Sequence, residues 1–155
     1  MVFRYLFFCM LLFSMQKAYV QTGKPTSASP SSEKLVYSTQ WGPLKSGNHT
    51  AVQVAAIAPA AILVKDQTGA IYTVLSFRIN YKFKSTYKDE QNEQVKSLWD
   101  LRVSDFSQTA QLSKPWIESI KDNIKSGDTI LVNKIIFKNK VNKTQLAPDL
   151  KIAVQ

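Results

Sequence analysis

A chain of 155 residues, 45% hydrophobic and carrying 8 Phe, 6 Tyr and 3 Trp, holds enough apolar matter for one folded domain and too much for a disordered segment. A domain of this size buries roughly two-thirds of its surface, so it needs neither a metal nor a disulfide to hold it. Its formal charge of +9 directs attention to anionic partners, and its single cysteine, Cys9, excludes a disulfide framework or a zinc-thiolate cluster.

Residues 1–20 read as an export signal. Arg4 precedes an apolar run from Tyr5 to Phe13, which is far shorter than the ~20 residues of a membrane-spanning helix. Ala18 and Val20 stand three and one residues before Gln21 and satisfy the small-residue pattern of a cleavage site. Cleavage there removes Cys9, and the loss of Arg4 and Lys17 lowers the charge from +9 to +7. The expected product is an exported protein, periplasmic or extracellular, with no membrane-spanning segment. Residues 21–34, "QTGKPTSASPSSEK", have almost nothing to bury and read as a flexible linker. Residues 35–155 read as a single β-rich domain.

A short strand is expected at Leu35–Thr39, followed by a loop broken by Gly42-Pro43 and Gly47-Asn48. The run "AVQVAAIAPAAILV" is apolar without a clear period. Pro59 in its middle argues against one continuous helix, and two short strands, or a strand and a loop, are expected. Lys65–Gly69, "KDQTG", is a turn. From Val74 the chain alternates strictly: Phe77, Ile79, Tyr81 and Phe83 point to the core, and Arg78, Asn80, Lys82 and Lys84 point away. Lys88–Gln94 is uniformly polar and reads as a hairpin tip. The return strand places Trp99, Leu101 and Val103 on one face and Asp100 and Arg102 on the other.

Ile117, Ile120 and Ile124 then recur at helical spacing, behind Ser113 as a cap and Pro115 in the first turn. The spacing predicts a helix over Lys114–Lys125, stopped at Gly127. "TILVNKIIFKNK" reads as a strand, "VNKTQ" as a turn, and "LAPDLKIAV" as a last strand. Pro148 there cannot donate to a ladder and belongs at an edge or outside the pairing.

The stretches "VLSFRINYKF" (Val74–Phe83), "LSKPWIESIKDNIKSGDTILVNKIIF" (Leu112–Phe137) and "KTQLAPDLKIAV" (Lys143–Val154) carry a resemblance. In order and spacing this part of the chain resembles the C-terminal domain of the gliding-motility and type IX secretion protein family GldM. It departs from that family in having Val141-Asn142-Lys143 where a glycine usually turns the last hairpin, and in a longer polar insertion near Lys88–Gln94. The resemblance implies an immunoglobulin-like β-sandwich with one short helix, in an exported interaction domain. It does not imply a motor role, since Tyr5–Phe13 contains no Asp, Glu or His to carry a proton.

No residue pattern points to catalysis, to a cofactor or to a metal. His49 is the single histidine and has no cysteine companion nearby, no Gly-x-Ser-x-Gly elbow occurs, and five glycines are too scattered for a phosphate loop. The candidate partner-binding residues are Arg78, Lys82, Lys84 and Lys88, a basic stripe that an anionic surface would meet. An envelope protein is the expected partner. An anionic glycan, stacked on Tyr81, Trp99 or Trp41, is the alternative; nucleic acid is not expected of an exported chain.

Overall fold

The computed structural model describes residues 35–90 and 93–155; the expected signal and linker lie outside them. In chain order the elements are β1 (Tyr37–Trp41), β2 (Gly47–His49), α1 (Ala51–Ile57), β3 (Ile62–Asp66), β4 (Ile71–Tyr72), β5 (Val74–Lys88), β6 (Val95–Ser107), α2 (Lys114–Asn123), β7 (Thr129–Lys138), β8 (Thr144–Leu146) and β9 (Leu150–Val154). The protein is mostly β, as its alternating sequence requires: a small sandwich carrying short helices.

One sheet runs β1-β3-β4. The other runs β2-β9-β7-β5-β6, with β8 paired to the far half of β7. All pairings are antiparallel except β2 with β9. Phe77, Ile79 and Tyr81 of β5, Ile130 and Val132 of β7, and Leu150 and Ile152 of β9 are buried on the inner face of the larger sheet. They form one core with Trp41, Ile62 and Val64 of the smaller sheet and with Trp116 and Ile120 of α2. Tyr37, Tyr72 and Phe137 meet edge to face across the two sheets, with centroids 4.8 to 5.6 Å apart. Of the four β5 positions expected to be core, Phe77, Ile79 and Tyr81 are buried, whereas Phe83, nearer the tip, is only half-buried.

The buried positions of β7 change phase along the strand. Ile130 and Val132 are buried, then Ile135 and Phe137. An irregularity in its pairing with β5 lies opposite, between Val74 and Arg78, and Lys134 takes φ = 50°. This is the signature of a β-bulge, where an extra residue re-aims the side chains.

Three expectations need correction. The stretch after β1 is not loop throughout, since Gly47–His49 forms β2 beside β9. The run after Thr50 is not strand or loop throughout. It opens with the helix α1, whose start is fixed by a capping box. The Thr50 hydroxyl accepts from the Gln53 N–H at 3.2 Å, and the Gln53 side-chain carbonyl accepts from the Thr50 N–H at 3.0 Å. The described residues therefore contain two helices, where one was expected; Pro59 ends the first rather than preventing it. The last turn is also tighter than "VNKTQ": Thr144 and Gln145 already pair with β7. Asn139 closes the turn, accepting at its side chain from the N–H groups of Val141 and Lys143, while Asn142 takes φ = 58°. Gly127 holds φ = 92° after α2, as its place in the sequence requires.

A candidate interaction surface on the outer face of the long hairpin

β5 and β6 pair without interruption from Ser76↔Ser107 to Lys88↔Val95. β5 leaves β7 at Lys82↔Thr129, so the part from Lys84 to Trp99 stands out as a two-stranded arm. The pairs Lys84↔Trp99, Lys82↔Leu101, Asn80↔Val103 and Arg78↔Asp105 place the odd-numbered residues of β6 on the same face as the basic stripe. That is the outer face of the sheet. Trp99 is 50% exposed, Leu101 64% and Val103 44%. An apolar row of this kind beside cations is unusual on a solvated face.

The stripe is not uniform. The Arg78 guanidinium donates twice to the Asp105 carboxylate, at 2.7 Å each. That bond holds the Asp105 carboxyl below its ordinary value and raises Arg78. Lys88 lies 3.8 Å from Glu93. Lys82 and Lys84 instead lean on Trp99, with their ammonium groups 4.9 and 5.8 Å from the ring centroid. The geometry thus gathers Lys82, Lys84, Trp99, Leu101 and Val103 into one basic-apolar platform, while Arg78 is tied to Asp105 at its margin. Leu101 and Val103 had no place in the sequence-derived stripe. The signal that could have found them is the length of the polar tip, because the tip fixes which residue of β6 opposes Lys84.

The opposite face of β6 is held by α2. The Trp116 indole N–H donates to the Ser104 hydroxyl at 2.8 Å, and Phe77 stacks on Phe106 at 4.9 Å. Arg102 lies 4.6 Å over the Trp116 ring and donates to Ser119 at 2.6 Å. Of the three aromatic residues expected to stack a ligand, Tyr81 and Trp41 are core and cannot; the Trp41 indole donates to the Ala60 carbonyl at 3.0 Å. Trp99 is accessible.

Two further polar clusters have architectural roles. Asp66, buried, accepts from the Thr68 hydroxyl and the Tyr72 hydroxyl at 2.6 Å each and from the Thr68 and Ala70 N–H groups, with Lys140 at 3.4 Å. These bonds, the Thr68 and Tyr72 hydroxyls first, hold its carboxyl far below the ordinary aspartate range. They lock the turn between β3 and β4. Asp128, also buried, accepts from the Tyr81 hydroxyl at 2.7 Å and from the Lys125 N–H at 3.0 Å. Burial first, and then this bond, push the Tyr81 hydroxyl well above its ordinary value.

The ring of His49 contacts the Lys45 carbonyl at 2.8 Å. Among the described residues no group of three or more His, Cys, Asp or Glu side chains is placed to hold a metal ion, and no helix is long and apolar enough to cross a membrane. No protein-family model matches the chain, and no curated protein matches it.

Proposed function

We propose that this chain is a non-catalytic, exported protein-interaction module, and that it meets an acidic envelope protein through the outer face of the β5–β6 hairpin. The observation that carries this reading is the exposed row Trp99, Leu101, Val103 set against Lys82 and Lys84. An exposed tryptophan beside other exposed apolar side chains is the kind of anchor a protein partner covers, and the lysines would steer an acidic partner into place. Service as an accessory of a gliding-motility or type IX secretion assembly rests on the resemblance of Val74–Phe83, Leu112–Phe137 and Lys143–Val154 to the GldM C-terminal domain. An anionic glycan is the second reading, favoured by the accessible Trp99 ring with two ammonium groups beside it.

The test is retention of envelope components on the immobilised chain, compared with Lys82→Glu/Lys84→Glu, at two salt concentrations. Protein partners that associate more slowly with the variant, and less at high salt, support the reading. Partners that ignore both changes would place the contact elsewhere. Retention of glycans alone would favour the second reading.

A further inference from the structure

We propose that two copies of this chain join edge to edge through β6, antiparallel, about a two-fold axis at Leu101. The inference does not depend on the function proposed above. β6 is the last strand of its sheet, and among the described residues no strand lies beside its outer edge. Such an edge, 13 residues long with exposed apolar side chains, is a template for another strand.

The sequence of β6 names the partner. A two-fold axis through the middle of an antiparallel pair sets residue 101 opposite residue 101 of the other copy. Leu101 is the midpoint of Val95–Ser107, so the whole strand pairs with no overhang. About that point the sequence "WDLRV" is complementary to itself: Asp100 faces Arg102, Arg102 faces Asp100, and Trp99 faces Val103 in each direction. Further out, Ser97 faces Asp105, Leu98 faces Ser104, Lys96 faces Phe106 and Val95 faces Ser107. No like charges meet. Moving the axis one residue either way sets Asp100 against Asp100 or Arg102 against Arg102, and directly opposed like charges are destabilising. The charges thus reject neighbouring registers and accept this one. Among the described residues Asp100 has no ion pair within its own chain. The contact is isologous, the commonest form of a dimer, and it keeps the two outer faces on one side.

The experiment is sedimentation equilibrium of the purified chain from about 5 to 500 µM at physiological salt, where the repulsion between two cationic copies is screened beyond about 8 Å. The wild type is expected to reach a dimer and go no further. Asp100→Arg sets two pairs of arginines face to face and should raise the dissociation constant about thirtyfold. Arg102→Asp should do the same with aspartates. Mixing these two variants makes every facing pair opposite in charge, and a heterodimer should return.

Arg102 also packs on Trp116, so its variant can lose stability. A second test therefore leaves it in place. Leu101→Cys, in a Cys9→Ser background, should cross-link readily, because residues directly opposed across antiparallel strands lie within disulfide reach. Val103→Cys should not, since its copies lie about 13 Å apart along the strands. A wild type monomeric throughout the range overturns the proposal. So does a dimer indifferent to Asp100→Arg, or equal cross-linking by the two cysteines.

Discussion

Tyr81→Phe removes one oxygen from the middle of the larger sheet. The ring stays, so packing changes little; what goes is the hydroxyl that donates to Asp128 at 2.7 Å. Asp128 is 1% exposed. Among the described residues one of its carboxylate oxygens, Oδ1, already lacks a hydrogen-bond partner, and Oδ2 would keep only the Lys125 N–H. A hydrogen bond to a charged group contributes about 1.5–3 kcal/mol, and leaving the charge buried puts the loss at the upper end. A loss of about 3 kcal/mol should lower the urea midpoint by about 1.5 M at a slope of about 2 kcal/mol/M. The comparison is a double-mutant cycle with Asp128→Ala, followed by urea titration at neutral pH. The two changes should be coupled by more than 1 kcal/mol, because each removes the same bond. A Tyr81→Phe loss under about 0.5 kcal/mol, or additivity in the cycle, would refute the reasoning and show that water takes the place of the Tyr81 hydroxyl.

Three further outcomes follow from the packing. Phe77→Ala, which empties a buried site stacked on Phe106, should cost about 3–5 kcal/mol in a denaturant titration. Thr50→Ala should cost about 1 kcal/mol through loss of the α1 capping box, with Thr50→Ser near wild type by thermal melt. Asp66 ionises more readily folded than unfolded, so the unfolded chain takes up the extra proton in acid. Stability is then complete above the ordinary value of 3.8 and falls as pH drops below it. Melts between pH 6 and pH 2 should show a shallower acid limb for Asp66→Asn than for the wild type.

The long strand β5 was legible because one face is buried and the other solvated, so its period is visible over most of its length. α2 was legible from its isoleucine spacing and its Pro and Gly boundaries, although Ser113 occupies the cap position without a side-chain bond. β6 was legible as a strand but not as a surface. Its more apolar face, Trp99, Leu101 and Val103, turns outward while Asp100 and Arg102 lie on the side of α2, the reverse of what hydropathy alone suggests; only register decides this, and a slip of one residue reverses it. Register here is set by the Lys88–Gln94 tip, whose length the sequence shows but whose closing pair, Lys88↔Val95, it does not. α1 escaped because seven mostly apolar residues show no period. Its one local sign was Thr50 with Gln53, the spacing of a capping box. The platform was half legible: charge alternation marks Lys82 and Lys84, but nothing local links them to Leu101 and Val103, which reach them only through hairpin pairing.

β9 lies between β2 and β7 and is made of residues 150–154. It binds β2 in parallel, with the Lys151 N–H donating to Ser46 across 105 positions of sequence. The larger sheet therefore has no continuous path from β2 to β7 until Val154 has left the ribosome. Everything synthesised before that point keeps an open seam, and closure of so long a loop makes folding slow. The β5–β6 hairpin and the β1-β3-β4 sheet, whose partners lie close in sequence, can pair before then, so the seam between β2 and β7 is the last part of the fold to close.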